Sequence, residues 1–498
     1  MIQKGEDGFY HPADEGEICA LVKYAAANQL KVRVRGSAHS VRAAIFTGDF
    51  ARPPLDEKNL DIFLDKMAQV QFDEAKQQVT VQGGCHLGVD PLDPTGTSTV
   101  ANSLFYQIDQ KGWAFPITGG ISTQTVGGFL STGSAGASLH DAVGRQIVAL
   151  RLVDGLGNIQ EFHKTDDLND PFYAAGVSMG LLGIVTSATF QCVDRFAIQG
   201  TETTSSYQAC KIDLFGTGTA DKPGLRAFFE ERQIARLMWF PQKDAEKIVV
   251  WEAELIQPVP TDFKRKPYTE FPVVLGSELP AQVAASVLFQ IFDLLNPPEP
   301  SSPIARWFKS ILKPLYPHVV NYFLASAVLG PQHFQDTWWQ GVPMDDRVNY
   351  RLLPTEFTEL WYPIEITAEV MQEYLDYYQT GGYPATGVYT AELYTSPASN
   401  FWMSPAYQQA VFRADQFWFG RNRGVPDRDF YPPLWERMKK FGFRAHWGKY
   451  LPADVDYLRN QYPRWDDFMS LRARLDPQQV FVTDYWRRHL GIEPVGAA

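Results

Sequence analysis

The amino-terminal part of the chain switches between two hydrophobic periods. Ile18, Leu21, Val22, Ala25 and Ala26 recur at the spacing of one helix face, which predicts a helix over 15–28. Directly after it, Lys31-Val32-Arg33-Val34 alternates polar and apolar, the signature of a strand with one buried face, predicted over 31–35. A further strand is predicted over 78–82, and the Pro-, Gly- and Thr-rich stretch Leu92–Ser98 reads as a loop. The run Asn296-Pro297-Pro298-Glu299-Pro300-Ser301-Ser302-Pro303 predicts an exposed connection. The longest apolar runs, Ala284–Leu295 and Val319–Leu329, contain Gln, Asp or Asn and are short for a membrane span, so they are expected as helices of a cap. Ile311–Val320 gathers Leu, Tyr and Pro beside Lys309 and Lys313, which leaves a weak association with a membrane or a hydrophobic substrate open. There is no internal repeat.

The segment after the first strand carries chemistry. In Arg35-Gly36-Ser37-Ala38-His39-Ser40, a Gly and small residues allow a tight turn that points successive N–H groups at one place, a concave site suited to a pyrophosphate. His39 closes the turn, within reach of the ring system of the same ligand. Taken singly, such a turn is common loop chemistry and a lone His is more often a surface or core residue. A second small-residue segment changes that balance: Thr118, Gly119, Gly120, Ser122, Thr123, Thr125, Val126, Gly127 and Gly128, then Thr132, Gly133, Ser134 and Gly136. Small side chains admit close backbone approach, and hydroxyls add donors for phosphate or ribose oxygens. Ile121, Val126, Phe129 and Leu130 interrupt it with buried-type residues that a flexible linker would not need. No G-x-G-x-x-G opens a helix after the first strand, and no Walker lysine pattern is present.

Composition narrows the class. A length of 498 residues predicts two or more domains, and 20% charged with 45% hydrophobic residues is ordinary for a globular protein. Aromatics at 14% favour aromatic-lined pockets. The net charge of -12, without a basic stripe, argues against a nucleic-acid partner. Cys19, Cys85, Cys192 and Cys210 are far apart, so buried free thiols are expected rather than a disulfide framework or a zinc site, and no metal is expected. His86, His140 and His163 show no ligand spacing. The stretch Met1–Glu17 is polar and acidic and lacks a signal-peptide pattern, so a cytoplasmic protein without a transmembrane segment is expected. No partner protein is inferred.

The two loops, in this order and separation, resemble the FAD-binding domain of the vanillyl-alcohol oxidase superfamily, the PCMH-type fold. Its R-G-x-x-H-S form matches residues 35–40, its T-V-G-G and T-G-S segments match the second stretch, and Val148–Val153 with Asp154-Gly155 and Gly183-Ile184-Val185-Thr186 fit the rest. The resemblance implies FAD as cofactor, His39 as its covalent attachment point at the flavin 8α-methyl group, and Ile184 and Val185 as further cofactor contacts. No Cys lies within 117–128, where relatives with a second covalent link carry one, so a single link is implied. Ala38 replaces a frequent Gly, and Ala135 stands where many relatives carry His. In the carboxyl half, Phe443-Arg444-Ala445-His446-Trp447-Gly448-Lys449 is similar to the H-W-G-K segment of aldonolactone and alditol oxidases. Ala391-Glu392-Leu393-Tyr394-Thr395 and Phe401-Trp402-Met403-Ser404-Pro405 resemble that group's S-E-[IL]-R and L-S-P segments. Met238-Trp239-Phe240-Pro241 matches its W-F-P strand, and Leu475-Asp476-Pro477 with Phe481 is also shared. The implied fold is α+β: a two-part PCMH-type FAD-binding domain over 1–195, an α+β substrate or cap domain with an antiparallel sheet over 196–440, and a segment over 441–498 returning to the FAD-binding domain.

Oxidising an alcohol through a flavin requires a hydride to leave carbon for N5, a proton to leave oxygen, and stabilisation of the charge that develops on the ring. By position, Glu392 is implied to contact the substrate hydroxyl, Lys449 to lie beside substrate and flavin, His446 and Trp447 to shape that wall, and Tyr394 to line the substrate side. Without the motifs these would read as a solvated strand residue, a surface cation and a structural histidine. Tyr394 occupies the place of the group's Arg, exchanging a fixed cationic fork for one hydroxyl and an aromatic face. Gly119 holds the position where, in the family, a small residue leaves O2 a path to the reduced flavin. That implies an oxidase releasing H2O2. The alternatives are a flavin-dependent dehydrogenase, a biosynthetic oxidase acting on a larger hydrophobic alcohol, amine or ring, and a non-catalytic flavin carrier, which would have no use for Glu392 and Lys449.

Overall fold

The computed structural model describes residues 2–48, 58–241, 245–295, 303–312, 320, 323–386, 388–421 and 424–496. The connection predicted over 296–303 lies outside these residues except for Pro303, as do 313–319 and 321–322 within two of the predicted apolar runs.

The first helix forms over Glu15–Ala27 for the reason its periodicity gave. Ile18, Leu21, Val22 and Ala25 are buried, and Asp14 caps it by accepting from the Glu17 N–H at 2.9 Å. Glu17 reaches back to the Ala13 N–H at 2.7 Å, which satisfies a second orphan donor. The strands that follow are β1 (Val32–Arg35), β2 (Leu60–Phe63), β3 (Val70–Asp73), β4 (Gln78–Gln82), β5 (Trp113–Ala114), β6 (Ile147–Val153), β7 (Ile159–His163), β8 (Ile184–Gln191) and β9 (Val193–Asp194). β1 and β2 run parallel as a pair, and β3-β4-β8-β6-β7 form an antiparallel five-stranded sheet. The loop over Leu92–Ser98 winds around Asp93, whose carboxylate takes the N–H groups of Thr95, Thr97 and Ser98.

The second half is built on one eight-stranded antiparallel sheet. Its strands are β10 (Ala197–Ser206), β11 (Ile234–Phe240), β12 (Lys247–Ile256), β13 (Gln332–Thr337), β14 (Thr355–Pro363), β15 (Val388–Ser396), β16 (Val411–Phe419) and β17 (Arg444–Ala445), in the order β13-β10-β12-β11-β15-β16-β14-β17. β15 and β16 are buried along their whole length, on both faces. Such strands read as apolar, so the charges they carry are costly unless each is paired. After β17 the chain crosses back to the first half: the Val32 N–H donates to Val480 O at 2.8 Å, and Trp486 Nε1 donates to Ala44 O at 3.0 Å. Val480 and Phe481 share an apolar cluster with Ile18, Leu21 and Val32. A single larger core runs through both halves, from Val79 and Phe115 to Leu237, Phe412 and Trp447, and fixes the two sheets against each other.

Candidate active site

The early histidine-bearing turn and the second glycine-rich segment touch. Ser37 Oγ donates to Thr123 O at 2.6 Å, and His39 Nε2 is hydrogen-bonded to Thr123 Oγ1 at 2.6 Å. His86 Nδ1 shares the Thr123 carbonyl at 2.9 Å. Gly36 has to be glycine, because a Cβ there would stand 2.4 Å from Thr125 Oγ1. Ala38 adopts φ +60°, the left-handed conformation in which the usual Gly costs nothing and an alanine costs roughly 1–2 kcal/mol. That conformation turns consecutive N–H groups the same way. Among the described residues nothing accepts from the N–H groups of Ser37, Ala38, His39 or Ser40. They open into a cavity of about 990 Å³ lined also by Arg35, Gly36, Thr125, Gly127, Gly128 and Thr132. Ile184, Val185 and Trp447 close its far wall. An anion nest of free donors over a cleft is what a diphosphate needs.

His39, Ser40, Gln124 and Thr132 also line a second cavity of about 850 Å³. Gly119, Gly120, Ser134 and Gly136 line it from one segment, and Glu392, Tyr394, His446 and Lys449 from the carboxyl half. The H-W-G-K segment is tied to the early turn: the Val41 N–H donates to Gly448 O at 2.9 Å, and a Cβ on Gly448 would meet Ser40 Oγ at 2.8 Å. The two motifs, far apart in sequence, therefore form one junction between the cavities. Not every predicted contact lines these two cavities. Thr118 is buried and donates to Gly119 O, Thr123 holds the early turn, Val126 is core, and Gly133 packs against Val177. Ser122 hydrogen-bonds Asp346 through both its N–H (2.7 Å) and its hydroxyl (2.5 Å), anchoring the loop to the cap.

The substrate-side wall comes from register. Glu392 on β15, Asp415 on β16 and Glu359 on β14 are direct cross-strand neighbours, so three carboxylates stand in one row. Like charges in such a row repel unless cations intervene. Lys449 Nζ pairs with Glu359 Oε2 at 2.9 Å and with Asp415 Oδ2. Arg236, on β11, pairs with Glu392 at 3.1 Å, Asp345 at 2.7 Å and Glu270 at 3.0 Å. Gly120 completes this chain, since its carbonyl accepts from the Asp345 N–H and a Cβ would meet Asp345 Oδ2 at 2.6 Å. The next row is Tyr394, Arg413 and Trp361. The Arg413 guanidinium lies between the two rings, 4.2 Å from the Tyr394 centroid and 4.3 Å from that of Trp361. It pairs with Glu359 at 2.6 Å and donates to Gly136 O at 2.8 Å. The cation absent from position 394 is thus present in space, supplied by the neighbouring strand.

Protonation follows from burial and these pairings. Burial, then Asp345, pushes the Glu392 carboxyl well above the usual range. Burial and Glu359, against the pull of Lys449, push Asp415 up to about 7. Burial would also raise Glu359, yet Arg413 and Lys449 outweigh it and hold that carboxylate near 2. Burial lowers His446 to about 3 and His39 to about 4, so both imidazoles are neutral at pH 7. His446 Nδ1 accepts from the Gly448 N–H at 3.1 Å, which leaves its proton on Nε2. Asp415 Oδ1 is buried without a hydrogen-bond partner among the described residues, an open acceptor in the wall. Glu359, Arg413, Asp415, Arg236 and Asp345 were not among the sequence candidates. For Arg236, Arg413 and Asp415 the signal was a charge inside an otherwise apolar strand segment, such as Val411-Phe412-Arg413-Ala414-Asp415; Asp345, in the turn Met344–Arg347, and Glu359, on a mixed strand, carry no such signal.

An N–H nest, a glycine-lined cleft and an acid–cation wall define the class as an FAD-dependent oxidoreductase, and comparison with known proteins agrees. Residues 7–89 match the FAD binding domain family and residues 302–489 the D-arabinono-1,4-lactone oxidase family. Both matches agree with the resemblance that the motifs carry, to the vanillyl-alcohol oxidase superfamily and its aldonolactone and alditol oxidase group. Mouse (Mus musculus) L-gulonolactone oxidase is 24% identical over 486 residues, 96% of this chain and 93% of that one. L-Gulono-1,4-lactone dehydrogenase of Mycobacterium tuberculosis is 25% identical over 487 residues, with 96% and 95% covered. Among solved structures, cholesterol oxidase from B. sterolicum superposes with a TM-score of 0.67 at 14% identity over 96% of this chain and 93% of that one, a likeness of fold that bears out the α+β, PCMH-type architecture.

Proposed function

We propose that the protein is an FAD-dependent oxidase that removes a hydride from a CH–OH carbon of a small polyhydroxylated lactone or related polyol, with O2 as electron acceptor and H2O2 as product, and with FAD attached through His39. The observation that carries this reading is the junction at His39, Ser40 and Gly448, where the diphosphate-type nest opens into the acid-lined cavity. Bound FAD supplies the hydride acceptor. The chain's own residues do the rest. Glu392 and Asp415 present carboxyl oxygens to the substrate hydroxyl, Arg236 holds the first of these acids and Lys449 the second, and His446 offers an N–H donor to the same space. Alternating acceptors and donors suit several hydroxyls on one small molecule, in keeping with the lactones in the relatives' names. The test is a screen of lactones and alditols on the yellow protein, by anaerobic bleaching of the flavin band and by peroxide release in air. Bleaching by none of them ends the proposal.

The covalent link is supported by the state of His39. Its Nε2 is engaged by Thr123 and its ring is neutral, so Nδ1 is the nitrogen left open. His39→Ala is expected to release its flavin into the supernatant on acid precipitation while the wild type keeps it in the pellet. Free flavin from the wild type would remove the assignment.

A dehydrogenase reading stays in play because one relative at similar identity bears that name. Gly119 favours the oxidase. A Cβ there would press to 3.2 Å from the buried Phe129 ring, so the backbone that lines the second cavity at this point would have to shift. Gly119→Ala is expected to slow reoxidation by air in stopped-flow measurements by at least an order of magnitude while leaving anaerobic reduction by substrate intact. Equal reoxidation rates would take Gly119 out of the oxygen path.

A further inference from the structure

Among the described residues two tyrosines line the second cavity, Tyr350 and Tyr394. Tyr394, expected on the substrate side, is already engaged. Its hydroxyl donates to Asp415 Oδ2 at 3.3 Å, and its ring carries the Arg413 guanidinium. Tyr350 was not among the sequence candidates. Its ring stands edge-on to His39, with centroids 5.6 Å apart at 71°, so it sits where the two cavities meet. Among the described residues nothing hydrogen-bonds its hydroxyl. Burial, then Asp345 and Glu392, hold the phenol well above its ordinary range, so it keeps its proton at any working pH. A phenol in a cavity wall without a protein partner is a vacant donor.

The loop that carries Tyr350 is clamped from two sides. Toward the second glycine-rich segment, the Asp345 N–H donates to Gly120 O at 2.8 Å, and Asp346 takes both the N–H and the hydroxyl of Ser122. Toward the helix Leu279–Leu295, the Asn349 N–H donates to Gln282 Oε1 at 2.7 Å, and Gln282 Nε2 donates to Arg347 O at 3.0 Å. Gln282 is 4% exposed, so this second clamp is shielded from water. A donor on a loop held in this way is presented at little cost in entropy. We propose that Tyr350 determines specificity, its hydroxyl donating to a second oxygen of the substrate, a hydroxyl or a lactone carbonyl, while the acid wall receives the hydroxyl being oxidised. The inference rests on the alcohol-oxidising reading above and deepens it. The carboxyl oxygens of Glu392 and Asp415 need only one hydroxyl, and a simple alcohol would satisfy them. Tyr350 adds a requirement for another oxygen on the same molecule. A site built to hydrogen-bond that oxygen discriminates against an analogue without it, because the donor is then left unpaired.

The test compares FAD-loaded wild type with Tyr350→Phe. The probes are the lactone or alditol that bleaches the wild type fastest and its analogues that each lack one oxygen. Phe keeps a ring against His39, so melting temperature and flavin spectrum should match the wild type. On the parent compound kcat/KM should fall about tenfold, mainly through a higher KM. The analogue without the oxygen that meets Tyr350 should react equally with both proteins, while the other analogues keep the gap. Equal constants on the parent compound would overturn the proposal, and so would a gap of the same size on every analogue, which is what a merely structural role gives. A wild type that no lactone or alditol bleaches would bring down the functional reading and this inference with it, an outcome distinct from either of those.

Discussion

Glu392→Gln lowers kcat by about 10²–10³-fold and leaves the flavin in place. The side chain is 1% exposed, so no water can stand in for the lost acceptor. The amide keeps the volume of the carboxyl but loses its basicity, and its NH2 can donate only toward Asp345, while its carbonyl oxygen still accepts from Arg236. Glu392 lines only the second cavity, away from the N–H nest, so cofactor retention should not change. The wild-type pH profile has a defined sign. Asp415 is raised to about 7 in the folded protein, so it is protonated below that pH and an acceptor above it. kcat/KM should therefore climb as pH rises through about 7. Because Asp415 stays in the wall, the residual activity of Glu392→Gln should keep that acid limb. Turnover within twofold of wild type (about 0.4 kcal/mol of barrier) would move the proton-accepting role off Glu392.

Local pattern made the first helix, β1 and β4 legible, because each buries one face and shows the matching period. The nest was legible for a different reason: its chemistry lies in a contiguous turn. The acid row was not. Glu359, Glu392 and Asp415 lie on three strands, and their meeting depends on the register of β14, β16 and β15, which no local signal states. The same holds for Arg413. Sequence showed only that Tyr394 lacks the expected cationic fork; cross-strand pairing places Arg413 directly opposite it, with the ring as a platform. Lys449 was expected as a cation facing substrate and flavin. Its ammonium is instead engaged by two carboxylates, so its first task is to make the acid row tolerable. Ala38 could be read from sequence only as a small side chain; the positive φ it must hold appears only in the folded turn.

That task for Lys449 predicts the largest effect on stability. Lys449→Met removes the ammonium between Asp415 and Glu359 and leaves two buried carboxylates facing each other, with Arg413 as the remaining cation on Glu359. Breaking a buried pair from one side costs about 3–5 kcal/mol, because the abandoned charge remains desolvated. At roughly 2.1 cal/mol/K per residue, a chain of 498 residues has an unfolding entropy near 1 kcal/mol/K, so the thermal midpoint should fall by about 3–5 °C. The sign of the pH dependence separates this from a simple packing defect. Without Lys449, Asp415 is pushed further up and can escape the penalty only by taking a proton, so the deficit should shrink as pH falls and grow as it rises. Neutralising the partner does the same by mutation: Asp415→Asn in the Lys449→Met background should recover most of the lost midpoint, although activity stays low because the wall has lost its open acceptor. A double variant no more stable than Lys449→Met, with a deficit flat across pH, would mean that the lysine holds the fold through the packing of its aliphatic stem rather than through its charge.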